Sequence, residues 1–276
     1  MRKDRFLPLL ALVGGGAGFA LRSWQLAEAY DEQTGLFRWE ATATIALVLL
    51  MAVMAALFAV MLRGGALPTD YAQAFYCPSD GYLILMMAGS LLMLASAALG
   101  LLESRKQLEL WQAGLTATVP VMLFLTAVLA VAAGYGTWKL GRCNHRGALS
   151  EDHPLLAVLP AYALLPWIVS VYQENSREPE LMLFMFNLLA VIFAVLGFYN
   201  GACFAFEHPR PKLCLATSLM AVVLLLTALA DPPSMFHAVM SLGCVLLLLG
   251  QSYALLRSVF GPYWPVPQKE ETENNS

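Results

Sequence analysis

Charge is the scarcest commodity in this chain: Asp, Glu, Lys and Arg make up 13% of its 276 residues, about half of what a soluble domain carries. A water-facing surface cannot be assembled from that inventory. No polar stretch is long enough for a separate extramembrane domain, so residues 1–276 are read as one integral membrane domain. A basic excess is also missing. The net charge is -3 and the pI about 5.8, which excludes nucleic acid as a partner because phosphate neutralisation needs clustered cations.

Paired cysteines are absent as well. Cys77, Cys143, Cys203, Cys214 and Cys244 are odd in number and form no CxxC, which excludes a disulfide framework; Cys203, Cys214 and Cys244 fall in or beside apolar runs and read as small buried hydrophobes. Cys77, Cys143, His145, His153 and His208 share one predicted side. Only Cys143-Asn144-His145 is closely spaced, and it matches no zinc pattern, so these groups read as loop residues with no metal and no cofactor. His237 reads as a helix-packing or interfacial histidine.

Motifs for intramembrane chemistry are missing too: there is no HExxH, no GxSxG, no paired aspartates in a helix and no paired glutamates with histidines. No catalytic residue is assigned, and an enzyme is the less favoured class. Arg22, Asp31, Glu32, Glu207, His208 and Asp231 lie near membrane boundaries, but no two form a known acid and base arrangement.

What is present is long and apolar. The runs are Phe6 to Leu21, Ala41 to Leu62, Tyr82 to Leu102, Gln112 to Trp138, Pro154 to Gln173, Leu181 to Phe206, Leu213 to Ala230 and Met235 to Leu256, and none contains an ionisable carboxylate, lysine or arginine. A helix crosses a hydrocarbon core about 30 Å thick with about 20 apolar residues; six runs meet that length, and the first and seventh are short. Lipid offers the backbone no hydrogen-bond partner and no alternating barrel pattern occurs. The fold class is therefore all-α, a polytopic bundle of about eight transmembrane spans. Trp24, Trp39, Trp111, Trp138 and Trp264 stand at or just beyond span ends, as interfacial indoles do, with Trp167 the looser case.

With the N-terminus inside, the inner cations are Arg2, Lys3, Arg5, Arg63, Lys139, Arg142, Arg146, Arg210, Lys212, Arg257 and Lys269, against Arg22, Arg38, Arg105, Lys106 and Arg177 outside. This excess predicts both termini in the cytoplasm, and the localisation expected is a bacterial plasma membrane. Residues 1–20 also resemble a signal peptide, whose cleavage would leave seven spans. Against cleavage, Gly14 and Gly18 form a GxxxG spacing suited to a retained helix that approaches a neighbour closely.

Between spans, Ser23 to Glu40 is expected to lie on the membrane surface and Arg63 to Gly81 to be an irregular loop folding back on the bundle. Lys139 to His153 reads as a basic topology determinant, Asp231 to Ser234 as the tight turn of a hairpin, and 269–276 as a polar disordered tail. Aligning Trp24 with Trp167 suggests a weak four-plus-four repeat of 1–140 and 154–258.

The absence of ionisable groups in mid-membrane argues against a proton-driven or sodium-driven antiporter and against a voltage sensor. A pocket for a neutral or amphipathic ligand could still be built from embedded amides and phenols, and the candidates are Tyr135, Tyr162, Asn187, Tyr199, Asn200, Gln251 and Tyr253. Each could equally just hydrogen-bond between helices. Pro160 and Pro166, six residues apart in the fifth run, are candidate hinge or kink positions expected to make that span irregular. The leading expectation is a permease-like protein or the membrane subunit of a transport complex; the alternatives are a sensor, scaffold or assembly factor, and a lipid-modifying enzyme. Expected partners are the lipid bilayer and a further membrane or cytoplasmic subunit.

Overall fold

The computed structural model describes residues 3–31, 36–37, 40–66, 68–115, 119–148, 150–175, 184–231, 234–261 and 264–265. Arg2, Arg38, Trp39, Arg177, Pro232, Pro233, Lys269 and the tail from 269 on lie outside them. Eight helices are long and apolar enough to cross a membrane. They are α1 (Lys3–Glu28), α2 (Thr42–Met61), α4 (Asp80–Gln112), α5 (Val121–Arg146), α6 (His153–Asn175), α7 (Met185–Ala202), α8 (Pro211–Ala228) and α9 (Met235–Phe260); the short α3 (Tyr71–Phe75) precedes the third span. A 3-10 turn, Cys203–Phe206, follows α7, and an antiparallel pair of two-residue strands, Tyr30–Asp31 with Leu36–Phe37, joins α1 to α2.

Helix ends differ from the apolar runs in a consistent way. The first span is longer than its run, because the helix carries on through Arg22 and Trp24 to Glu28, so the first part of the expected surface segment is a continuation of α1. At the third span the helix runs ten residues past Leu102 to Gln112, which moves the expected start of the fourth span from Gln112 to Val121. Lys139 to Arg146 likewise belongs to α5, which stops where Gly147 adopts a left-handed φ of 71°. Hydrocarbon thickness limits the apolar stretch and sets no limit on the helix, whose backbone bonds continue into the headgroup layer.

The last two spans are the centre. Of the apolar window in α8 and in α9, 72% is buried, against 22% in α2. Helix α9 packs on α4, α8 and α1, and α8 on α7 and α1, while α4, α5, α6 and α7 follow one another around the rim and α2 lies outside on α1. One contiguous apolar core joins all of them.

Small residues set the closest approaches. A Cβ at Gly14 would meet the side chain of Met54 on α2, and at Gly18 it would collide with Thr227 Oγ1 on α8, so the glycine run lets α1 wedge between two helices. Gly89 on α4 and Gly243 on α9 face each other, each Cβ position lying 3.1 to 3.3 Å from the other's carbonyl oxygen. These are backbone-to-backbone contacts of the small-residue kind.

The start of α1 and the end of α9 lie at the same face of the bundle. Lys3 Nζ donates to Met61 O at 2.9 Å and lies 4.5 Å from the Phe260 ring, so α1 begins where α2 and α9 end. The Arg63 to Gly81 segment returns against this face, with Ala66 N donating to Val259 O at 3.0 Å and Tyr71, Ala74, Phe75 and Cys77 buried. Across the membrane, the expected α8–α9 hairpin is formed. Trp24 and Trp111 are exposed there, whereas Trp167, its counterpart in the suggested repeat, is fully buried and stacks on His237 at 5.9 Å. Helix α6 runs from His153 to Asn175 with both Pro160 and Pro166 inside it.

Candidate functional site: a polar cavity beneath helix α3

Helix α3 forms because Asp70 caps it: its carboxylate accepts from Ala72 N at 3.4 Å. Tyr71 and Phe75 pack on each other at 4.8 Å, and aromatic contacts then pin the helix to the bundle, with Tyr71 to His153 at 5.3 Å and Phe75 edge-on to Phe204 at 5.2 Å. Behind this plug lies a cavity of about 30 Å³, walled by Tyr71, Tyr82, Thr137, Asn144 and Gln251 among apolar neighbours that include Met86, Pro160 and Phe198. A space of that size holds about two waters.

Four elements, α3, α4, α5 and α9, supply its polar wall. Thr137 and Asn144 stand seven residues apart on one face of α5. Asn144 is 4% exposed, and its Nδ2 donates to Tyr82 Oη at 3.1 Å and Tyr71 Oη at 3.4 Å. Its Oδ1 has no hydrogen-bond partner in the protein. Turning the amide over exchanges donor for acceptor and leaves the amino hydrogens unmatched instead, so in either orientation Asn144 has unfilled bonding capacity. Gln251 Nε2 is engaged by Gly197 O at 3.3 Å and Cys214 Sγ at 3.4 Å. Gly201 on α7 leaves room for that amide, since a Cβ there would collide with Gln251 Nε2.

The wall also explains one proline. Pro160 has no N–H for the carbonyl of Leu156, and it is there that α5 comes close, the Cβ position of Gly136 lying 3.4 Å from Leu156 O. Beside the cavity, burial raises the Tyr71 phenol and pushes the Cys77 thiol up to about 11; the Asn144 hydrogen bond partly offsets the first, and a Ser79 backbone hydrogen bond and the Arg257 charge partly offset the second.

Of the residues singled out from sequence, Gln251 and Pro160 meet in this cavity. Asn200 lies beyond its wall, buried, its Nδ2 donating to Leu196 O at 2.7 Å and Thr217 Oγ1 at 3.5 Å. Tyr135, Tyr162 and Tyr199 are 62%, 55% and 55% exposed on outward faces. Asn187 is half-buried, Tyr253 Oη accepts from Arg257 at 3.3 Å, and Pro166 is buried away from the cavity wall. The structure does not bring these seven together with Gln251. Tyr71 and Asn144 were missed because hydropathy assigns them to linkers, whereas Tyr82 and Thr137 lie inside apolar runs with no signal that turns them towards a cavity.

A second polar cluster sits at the opposite face. Arg22, fully buried, donates through Nε to Asp231 Oδ1 at 2.7 Å and through Nη1 to Gln25 Oε1 at 2.7 Å, while Gln25 Nε2 donates to Thr44 Oγ1 at 3.0 Å. The guanidinium also lies 5.0 Å from the Phe186 ring. Burial raises the Asp231 carboxyl above its ordinary range, opposed by the Arg22 charge.

Glu207 and His208 are exposed in the α7–α8 turn. Among the described residues no three His, Cys, Asp or Glu side chains converge as a metal shell. No family model matches the chain, and no curated protein or solved structure shows significant similarity to it.

Proposed function

We propose that this multi-pass membrane protein is a permease-like bundle, or the membrane subunit of a transport complex, that accommodates a small neutral polar molecule in the cavity beneath α3. The observation that carries this reading is the unfilled hydrogen-bonding capacity of Asn144 at the wall of a small cavity that Tyr71, Tyr82, Thr137 and Gln251 also line. A buried polar group without a partner is costly, and a neutral guest with donors and acceptors would remove that cost. The wall carries no carboxylate, lysine or arginine, which matches an uncharged guest. In the closed arrangement the guest is limited to the scale of water; anything larger requires α3 to swing away from Phe204 and His153.

Reconstituted liposomes test this. Stopped-flow light scattering with water, urea and glycerol gradients is expected to show faster flux than in protein-free vesicles, and Asn144→Leu is expected to abolish the increment while the helical circular dichroism is kept. Absence of flux, together with absence of any solute-induced thermal shift, would remove the reading.

A second reading, a scaffold or assembly factor, is favoured by a different observation. The glycine-mediated contact of α4 with α9 is backbone-tight, and α2 leaves most of its circumference outward, an arrangement suited to holding a neighbour rather than moving a solute.

A further inference from the structure

At the face opposite the start of α1 and the end of α9, the far end of α4 and the start of α5 enclose a groove of about 400 Å³ lined by Ser104, Arg105, Leu108, Val119, Val121 and Phe124, with Pro120 at its floor. That is within the range of small-molecule sites, and its walls are apolar except at one end. The apolar run Tyr82 to Leu102 has 21 residues, which at 1.5 Å each traverse about 30 Å. Arg105 therefore stands about one turn beyond the hydrocarbon, at headgroup depth; Gly100 packs on Ala127 of α5, so Val121 is level with Arg105 and Phe124 lies about a turn deeper, at the hydrocarbon edge, the two 55% and 53% exposed. Among the described residues Arg105 forms no ion pair.

The surrounding charges are placed unequally. Glu109, four residues on, shares the Arg105 side of the helix and is the internal competitor for it. By helical rotation Glu103 and Lys106 point elsewhere, about 160° and 100° from Arg105. One cation at headgroup level over an apolar trough describes a ligand with an anionic head and an acyl tail. We propose that this groove seats one anionic phospholipid, its phosphate on the Arg105 guanidinium beside Val121 and one acyl chain running inward past Phe124. Arginine suits this because its planar fork binds phosphate oxygens in pairs.

The experiment uses the full chain in neutral detergent, titrated with dioleoyl phosphatidylglycerol or dioleoyl phosphatidylcholine and read by native mass spectrometry and thermal shift. Phosphatidylglycerol should be retained and should raise the melting temperature more than phosphatidylcholine does. Arg105→Ala should weaken its retention about fivefold, Lys106→Ala should leave it unchanged, and Val121→Trp, which fills the groove, should reduce it without altering headgroup charge. Equal retention by the Arg105 variant, an equal loss in the Lys106 variant, or equal stabilisation by both lipids would overturn the proposal. Arg105 is exposed, so these variants are expected to fold.

Discussion

Arg22 and Asp231, 209 residues apart in sequence, share a hydrogen-bonded ion pair of 2.7 Å that ties the end of α1 to the turn between α8 and α9. Arg22 is wholly buried, so the pair is not a surface ornament. Removing one partner of a buried pair strands the other charge, at a cost of about 3 kcal/mol or more. Asp231→Ala is therefore expected to lower the melting temperature of the detergent-solubilised protein sharply. The double variant Arg22→Met with Asp231→Leu is expected to recover most of the loss seen in the single variants Arg22→Met and Asp231→Leu, and strict additivity in that cycle would show that the pair is not coupled.

The glycine run of α1 makes a paired prediction about packing. Gly18 has no space for a Cβ beside Thr227 and Met51, whereas nothing lies within 4 Å of the Cβ position of Gly16. Gly18→Ala is expected to destabilise by about 1 to 3 kcal/mol through overpacking, and Gly16→Ala to stabilise by up to about 1 kcal/mol through helix propensity. Thermal unfolding of the two variants side by side checks the sign of each.

Cys77 supplies a pH dependence. Burial raises its thiol from 9.0 to about 11, so the unfolded chain loses this proton first. Its contribution is fully present below pH 9 and is lost as pH climbs towards 11, with a slope of at most about 1.4 kcal/mol per pH unit. Cys77→Ala is expected to flatten the alkaline fall in melting temperature, and an unchanged slope would refute the assignment. The folded protein should also resist maleimide at this position near pH 8, because the thiolate is the reactive form.

All eight spans were legible in the sequence because each carries a charge-free apolar stretch, and lipid leaves such a stretch no other stable conformation. Their ends were not legible. Glu103, Arg105, Lys106 and Glu109 interrupt the hydropathy of α4 without interrupting its helix, and Lys139 to Arg146 do the same for α5. The candidate site was legible only where polar residues lay inside apolar runs, as with Gln251. Asn144 and Tyr71 looked like linker residues; only the return of the chain through α3 turns them into an interior. Hydropathy also cannot tell an inward tyrosine from an outward one, which is why Tyr135, Tyr162 and Tyr199 resembled Tyr82 on paper.

The central position of α8 and α9 has a consequence for biogenesis. A chain made from its N-terminus inserts the peripheral segments first, including α2, and those must wait in the bilayer as a loose horseshoe with no hub to grip. Closure waits until the α8–α9 hairpin, made after them, slides into the middle, and the Arg22–Asp231 bond forms only then.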